Sequence, residues 1–175
     1  MDRWRFGVTM GAEAWTDTHG RHTTHMPRFE NRREIKAPLE WIWSVMTNPH
    51  LWPKWFPGIK EVPYVSGVKR DSTFEWRDNK GRTGYGAIMR ADLNKRLEIA
   101  TQMGGDADLH IFELKSRRSW LRPGSSRNSW VEYTLDTFRG DGILTGASVD
   151  GSSQDTLWVK NALERLKKII EDQAR

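Results

Sequence analysis

The sequence predicts an α+β fold, a curved seven-stranded antiparallel sheet wrapped around a long C-terminal helix, with two short helices after the first strand. Three observations carry that expectation. From Ile59 to Phe138, six segments alternate apolar and polar residues and are parted by turn clusters such as "DNKGR" and "MGGDAD", the pattern of an antiparallel meander rather than a parallel sheet. The closing "SSQDTLWVKNALERLKKIIEDQ" repeats apolar residues on one helical stripe. Between them and the first strand, "NPHLWPKWFPGIKEV" sets Trp52, Trp55 and Phe56 among Pro49, Pro53 and Pro57, so only short helices or turns can form there.

Taken in order, residues 1–26 mix Gly, Thr and His without a period and read as a mobile arm before a single domain over 27–175. The arm spaces His19, His22 and His25 three apart, but it offers no rigid frame or orienting partner, so no metal site is assigned to it. "RFENRREIKAP" is the first strand, ending at Pro38. "PLEWIWSVMTNP" is a helix started by Pro38, with Leu39, Ile42, Val45 and Met46 on one side, and stopped before Pro49. Gly58 then releases the chain into "IKEVPYVSG", "STFEWRDN", "TGYGAIMRAD", "RLEIATQM", "LHIFELKS" and "SWVEYTLDTF". "RGDGILTGASVDGSS" is a Gly/Ser-rich connection longer than a hairpin needs. In the final helix Leu157, Trp158, Ala162, Leu163, Leu166, Ile169 and Ile170 form the stripe, Ser152 or Ser153 offers the N-cap, and Lys167 and Lys168 suit the dipole's negative end. Such a sheet has one apolar face to cover, and only this helix is long enough to lie across it. If the sheet curls around it, a cavity is left between them, which the aromatic segment would cap.

Composition narrows the function classes. The 175 residues suit one domain, and no apolar run approaches the ~18 residues of a membrane span. The start "MDRWRFGVTM" lacks an uninterrupted apolar stretch, so the cytoplasm is the expected compartment. Without cysteine there are no disulfides, thiolate nucleophiles or thiolate metal sites. A net charge of +5 is too small for a strong nucleic-acid footprint. No phosphate loop, dinucleotide glycine fingerprint, H-E-x-x-H or G-x-S-x-G element occurs, and no cofactor is expected. The ten tryptophans stand out, because surplus indoles tend to line sites that are apolar with a polar edge.

"IKAPLEWIWSVMTNPHLWPKWFPG", the "RLEI" strand start, "LHIFEL" and the closing "ALERLKKIIED" together resemble the START-like superfamily with the helix-grip fold, also called SRPBCC, and within it the polyketide cyclase/dehydrase-like group. The resemblance runs over roughly residues 28 to 172. The chain departs from it in having "RNSW" where many relatives begin the last strand with Gly-Thr, and in its long connection before the helix. The resemblance implies a deep hydrophobic cavity for lipids, steroids, polyketides, quinones or other largely apolar molecules. Some members of that superfamily bind and carry, others cyclise or dehydrate a polyketide, and a few protect ribosomes or chaperone partners.

Alternation selects the candidate residues. Phe74 and Trp76 share the inward face of "STFEWRD". His110 shares a face with Phe112 and Leu114, which makes it either a general acid/base or ligand anchor, or a hydrogen-bonded core histidine. Tyr133 alternates with Val131 and Leu135, as an inward donor or a packed core residue. Arg90, in phase with Gly86 and Ile88, would stabilise an enolate if it faces the cavity and is a surface charge if Tyr85, Ala87 and Met89 do. Trp43, Trp55 and Phe56 are expected at the mouth and wall of the pocket, or else as simple helix-to-sheet packing, with Ile99, Phe112, Val131 and Trp158 as further wall residues. The leading expectation is binding or sequestration of a hydrophobic aromatic or polycyclic small molecule. The alternatives are a cyclase or aromatase using His110, Tyr133 or Arg90, and an interaction module using the basic hairpin 115–127, where Lys115, Arg117, Arg118, Arg122 and Arg127 surround Trp120.

Overall fold

Turn chemistry and period-two patterning build the sheet, and proline placement divides what precedes it. The computed structural model of the protein describes residues 28–116, 128–138 and 149–173, with side chains from 155 onward in the last of these. The arm, most of the basic hairpin and most of the Gly/Ser-rich connection lie outside the described residues. The elements are β1 (Arg28–Ile35), α1 (Leu39–Met46), a 3-10 turn (Pro49–Leu51), α2 (Trp52–Trp55), β2 (Glu61–Val65), β3 (Thr73–Arg77), β4 (Thr83–Asp92), β5 (Arg96–Met103), β6 (Asp106–Ser116), β7 (Ser129–Phe138) and α3 (Val149–Gln173).

All seven strands form one antiparallel sheet in the order β1-β7-β6-β5-β4-β3-β2. Strands β2 to β7 follow one another as sequence neighbours, and β1 adds to the far side of β7. The stretch through α1 and α2 therefore carries the chain from one edge of the sheet to the other. The β1–β7 seam is fastened by Arg28, whose guanidinium donates to both carboxylate oxygens of the nearly buried Asp136 at 2.7 and 2.9 Å.

Pro38 supplies the N-cap of α1, and Pro49 follows shortly after its last residue, as a residue that cannot continue a helix should. Helix α3 buries Val159, Ala162, Leu163, Leu166 and Ile170 against the sheet, a stripe of helical period. Leu157, expected on that stripe, is exposed: it lies two residues before Val159, and at about 100° per residue that turns it to the opposite side. The helix already begins at Val149 and runs to Gln173. Ser152 and Ser153 are thus inside it rather than at its cap, and Lys167 and Lys168 precede a last turn that holds no basic residue. Arg33 of β1 reaches Glu164 of α3 at 2.5 Å, and Glu171 accepts the backbone N–H of Lys36 at 2.9 Å, fixing the helix along the β1 side of the sheet. Among the described residues no helix is long and apolar enough to cross a membrane.

Candidate functional site

Along β5 and β6 the inward face changes character. On β5 it carries Leu97, Ile99, Thr101 and Met103, and on β6 the cross-strand partners of the first three are Phe112, His110 and Asp108. Apolar pairs at one end thus give way to a Thr101–Asp108 pair at the other. Above the apolar end the interior is filled. Trp52, Trp55 and Phe56 of the proline-rich segment are fully buried and wedge edge-on among the sheet's rings, Trp52 against Phe74 (4.9 Å), Trp55 against Phe112 (5.5 Å) and Phe56 against His110 (4.7 Å). Phe112 is stacked in turn on Tyr133 at 4.4 Å.

At the polar end the described residues leave open space. A pocket of about 480 Å³ opens to solvent there, between the β3–β4 turn, the start of β6, the Pro57–Ile59 bend and Trp158 of α3. One wall is Trp76, and its position depends on an absence of side chain opposite. Trp76 pairs with Gly84, where a Cβ would fall 2.4 Å from the indole, and Phe74 pairs with Gly86, where a Cβ would fall 2.1 Å from the ring. The two glycines of "TGYGA" leave the inner face of β4 bare, so both rings can lie flat across it. The Trp76 indole N–H donates to the Tyr85 carbonyl at 3.3 Å. Another wall is Trp158, 39% exposed, whose ring lies over Gly58, a residue at φ +75° in the bend. On the rim, Asp78 accepts from the Arg82 guanidinium and from the backbone N–H groups of Lys80 and Arg82 at 2.8 to 2.9 Å. Burial pushes the Asp78 carboxyl up, but these donors outweigh it and hold the group below its usual range.

The base of the pocket is a buried hydrogen-bonded row. Thr101 Oγ1 lies 3.0 Å from His110 Nε2, and His110 Nδ1 lies 2.8 Å from the Tyr133 hydroxyl. Burial lowers the His110 pKa to about 3, so the ring is neutral near pH 7. Burial, with the nearby carboxylates of Asp108 and Asp155, raises the Tyr133 phenol well above its usual range, so it keeps its proton.

Of the residues singled out in the sequence, the structure brings Trp76, Trp158 and His110 to the pocket. Tyr133 stands behind His110, Phe112 behind Phe56, and Ile99 is the buried cross-strand neighbour of His110. Trp55 and Phe56 are core residues rather than a pocket mouth, Phe74 is inward but buried against Trp52, Val131 pairs with Leu114 in the core, and Trp43 is half-buried on α1 away from the pocket. Arg90 is on the outer face, half exposed and paired with Asp92 at 2.6 Å. The register shift between Ile88 and Arg90 explains it: Ile88 opposes Ile99 and Arg90 opposes Glu98, so the extra Met89 reverses the alternation and Arg90 no longer shares the face of Ile88. Lys115 of the basic hairpin is tied to Glu113 and Glu132 on the same outer face. Sequence reasoning missed Thr101 and Asp108. Their signal was the alternation itself, which continues inward past Ile99 and His110 into polar residues. Among the described residues no group of three or more His, Asp or Glu is placed to hold a metal.

No protein-family model matches the chain, and no curated protein matches it. Solved structures do. A START superfamily protein from Mycobacterium smegmatis is 18% identical with a TM-score of 0.61, over 83% of this chain and 98% of that one. A protein of Mesorhizobium loti is 15% identical with a TM-score of 0.63, over 85% and 99%. The Aha1 dimer from Colwellia psychrerythraea is 19% identical with a TM-score of 0.59, over 83% and 97%. Similarity at that level identifies the fold, which is the START-like helix grip.

Proposed function

On this helix-grip fold, we propose that the protein binds or sequesters a small molecule with an aromatic or polycyclic body, held at the end of the grip between Trp76 and Trp158. The observation that carries the reading is the 480 Å³ pocket with two indole walls and a buried polar base, a size and chemistry suited to one small ligand. Flat indoles favour flat rings, so a polyketide-like ring system fits better than an alkyl chain. A lipid buried deep in the domain fits poorly, because Trp52, Trp55 and Phe56 occupy the interior.

Binding is favoured over turnover by the state of His110. Both ring nitrogens are engaged by protein groups, and a base with a pKa of about 3 is a weak proton acceptor near neutrality. A cyclase or aromatase reading would also need an enolate-stabilising cation, and Arg90 is on the wrong face for it.

Calorimetric titration with 2-acetylnaphthalene, an uncharged ring probe of suitable size, tests the reading. The intact protein should bind it, and Trp158→Ala should weaken binding by about fivefold or more, the contribution of one stacked aromatic pair. Absence of binding, or equal binding by the variant, would count against it.

A further inference from the structure

The direction of the hydrogen bonds under the pocket follows from which groups have nowhere else to turn. The Tyr133 hydroxyl is completely buried, and among the described residues its one hydrogen-bond partner is His110 Nδ1. Tyr133 keeps its proton, and a buried O–H with no acceptor is more costly than an oxygen with a spare lone pair. The phenol therefore donates to Nδ1. A neutral imidazole that accepts at Nδ1 carries its hydrogen on Nε2, so His110 donates to Thr101 Oγ1. Thr101 is then already an acceptor, and its own hydrogen has no partner among the described protein groups. This residue is 6% exposed and lies on the pocket wall.

We propose that the Tyr133–His110–Thr101 row makes the Thr101 hydroxyl a fixed hydrogen-bond donor into the pocket, and that the ligand is recognised by an uncharged acceptor, a carbonyl oxygen on its aromatic body. The inference rests on the pocket being the binding site, and it adds the polar half of the specificity. Each bond in the row polarises the next, which strengthens the last donor. An anionic acceptor is disfavoured beside Thr101, whose cross-strand neighbour is Asp108, with Asp106 also on the wall; the lining's cations, Lys80 and Arg82, belong to the β3–β4 turn at the rim, where Arg82 is paired with Asp78. Thr101 touches the ligand; His110 and Tyr133 are positioning residues that set which way its hydrogen points.

Two measurements test this. The first needs no ligand: ¹⁵N NMR of the His110 ring should show hydrogen on Nε2 and a bare Nδ1 at neutral pH. Hydrogen on Nδ1 would reverse the row and overturn the proposal. The second is calorimetry with three matched probes, 2-acetylnaphthalene, its hydrocarbon counterpart 2-isopropenylnaphthalene, and 2-naphthoate. The ketone should bind about fivefold tighter than the hydrocarbon, the net worth of one hydrogen bond, and tighter than the carboxylate. That preference should vanish in Thr101→Val, survive in Thr101→Ser, and shrink in Tyr133→Phe while the hydrocarbon still binds. Equal binding of ketone and hydrocarbon would overturn the donor assignment but leave the pocket reading standing. Tighter binding of naphthoate would overturn the uncharged class. If none of the three binds, the pocket reading falls and this one with it.

Discussion

Mild acid should destabilise this protein through His110. His110 is 4% exposed, and burial takes its pKa from 6.5 to about 3. In the unfolded chain the imidazole takes up a proton below pH 6.5, whereas in the native chain it does so only near pH 3. Its neutral form thus contributes stability that is complete above pH 6.5 and is lost as the pH falls toward 3. The loss is about 1.4 kcal/mol per pH unit once the unfolded ring is protonated, hence about 2 kcal/mol between pH 7 and pH 5. The hydrogen bond from Lys115 that holds Glu132 below its usual 4.5 affects stability only at lower pH, outside this window. Urea unfolding at pH 7, 6 and 5 should therefore give intact protein a steeper fall than His110→Gln, by about 2 kcal/mol over the range. The variant will be less stable throughout, so the difference in slope is the readout. Parallel pH profiles would refute a buried neutral His110, and with it the hydrogen-bonded row under the pocket.

Three further outcomes follow from the packing. Gly84→Ala would put a methyl carbon 2.4 Å from the Trp76 indole, so the ring must shift toward the pocket it lines; this should cost about 1–3 kcal/mol in urea unfolding and weaken 2-acetylnaphthalene binding by displacing Trp76. Trp52 donates its indole N–H to the Met46 carbonyl at 2.7 Å, while the Trp55 N–H has no partner among the described residues; Trp52→Phe should therefore be more destabilising than Trp55→Phe by about 1 kcal/mol, both sites being fully buried. Arg90→Ala should leave both stability and probe binding unchanged, and a loss of binding would place Arg90 at the site after all.

What the sequence disclosed and what it hid divide along physical lines. Strand number, the meander and the gripping helix were legible because period-two and period-3.6 patterns report which face is buried, and a face needs no knowledge of its partner. Trp76 and His110 were found the same way. Arg90 was misplaced because a bulge inserts a residue without any local mark in composition; Met89 looks like any strand residue. The role of "NPHLWPKWFP" was hidden for a different reason. Its aromatics were legible as buried, but burial in a wall and burial in a plug look alike along a chain. Whether Trp55 and Phe56 surround a cavity or fill it depends on how far the segment sinks toward Phe112 and His110, which is settled by packing across elements distant in sequence. The partners of His110 were out of reach similarly: Thr101 and Tyr133 come from the neighbouring strands on either side.

The central claim, that the end of the grip between the two indoles is the binding site, is tested most directly by mapping where a probe lands. Backbone and indole N–H resonances would be followed in ¹H–¹⁵N spectra as 2-acetylnaphthalene is added. The account predicts shifts clustered on Trp76, Trp158, Thr101, Met103 and Gly58. Shifts confined to Tyr64, Tyr85 and Met89 on the outer face of the sheet, or none at all, would contradict it.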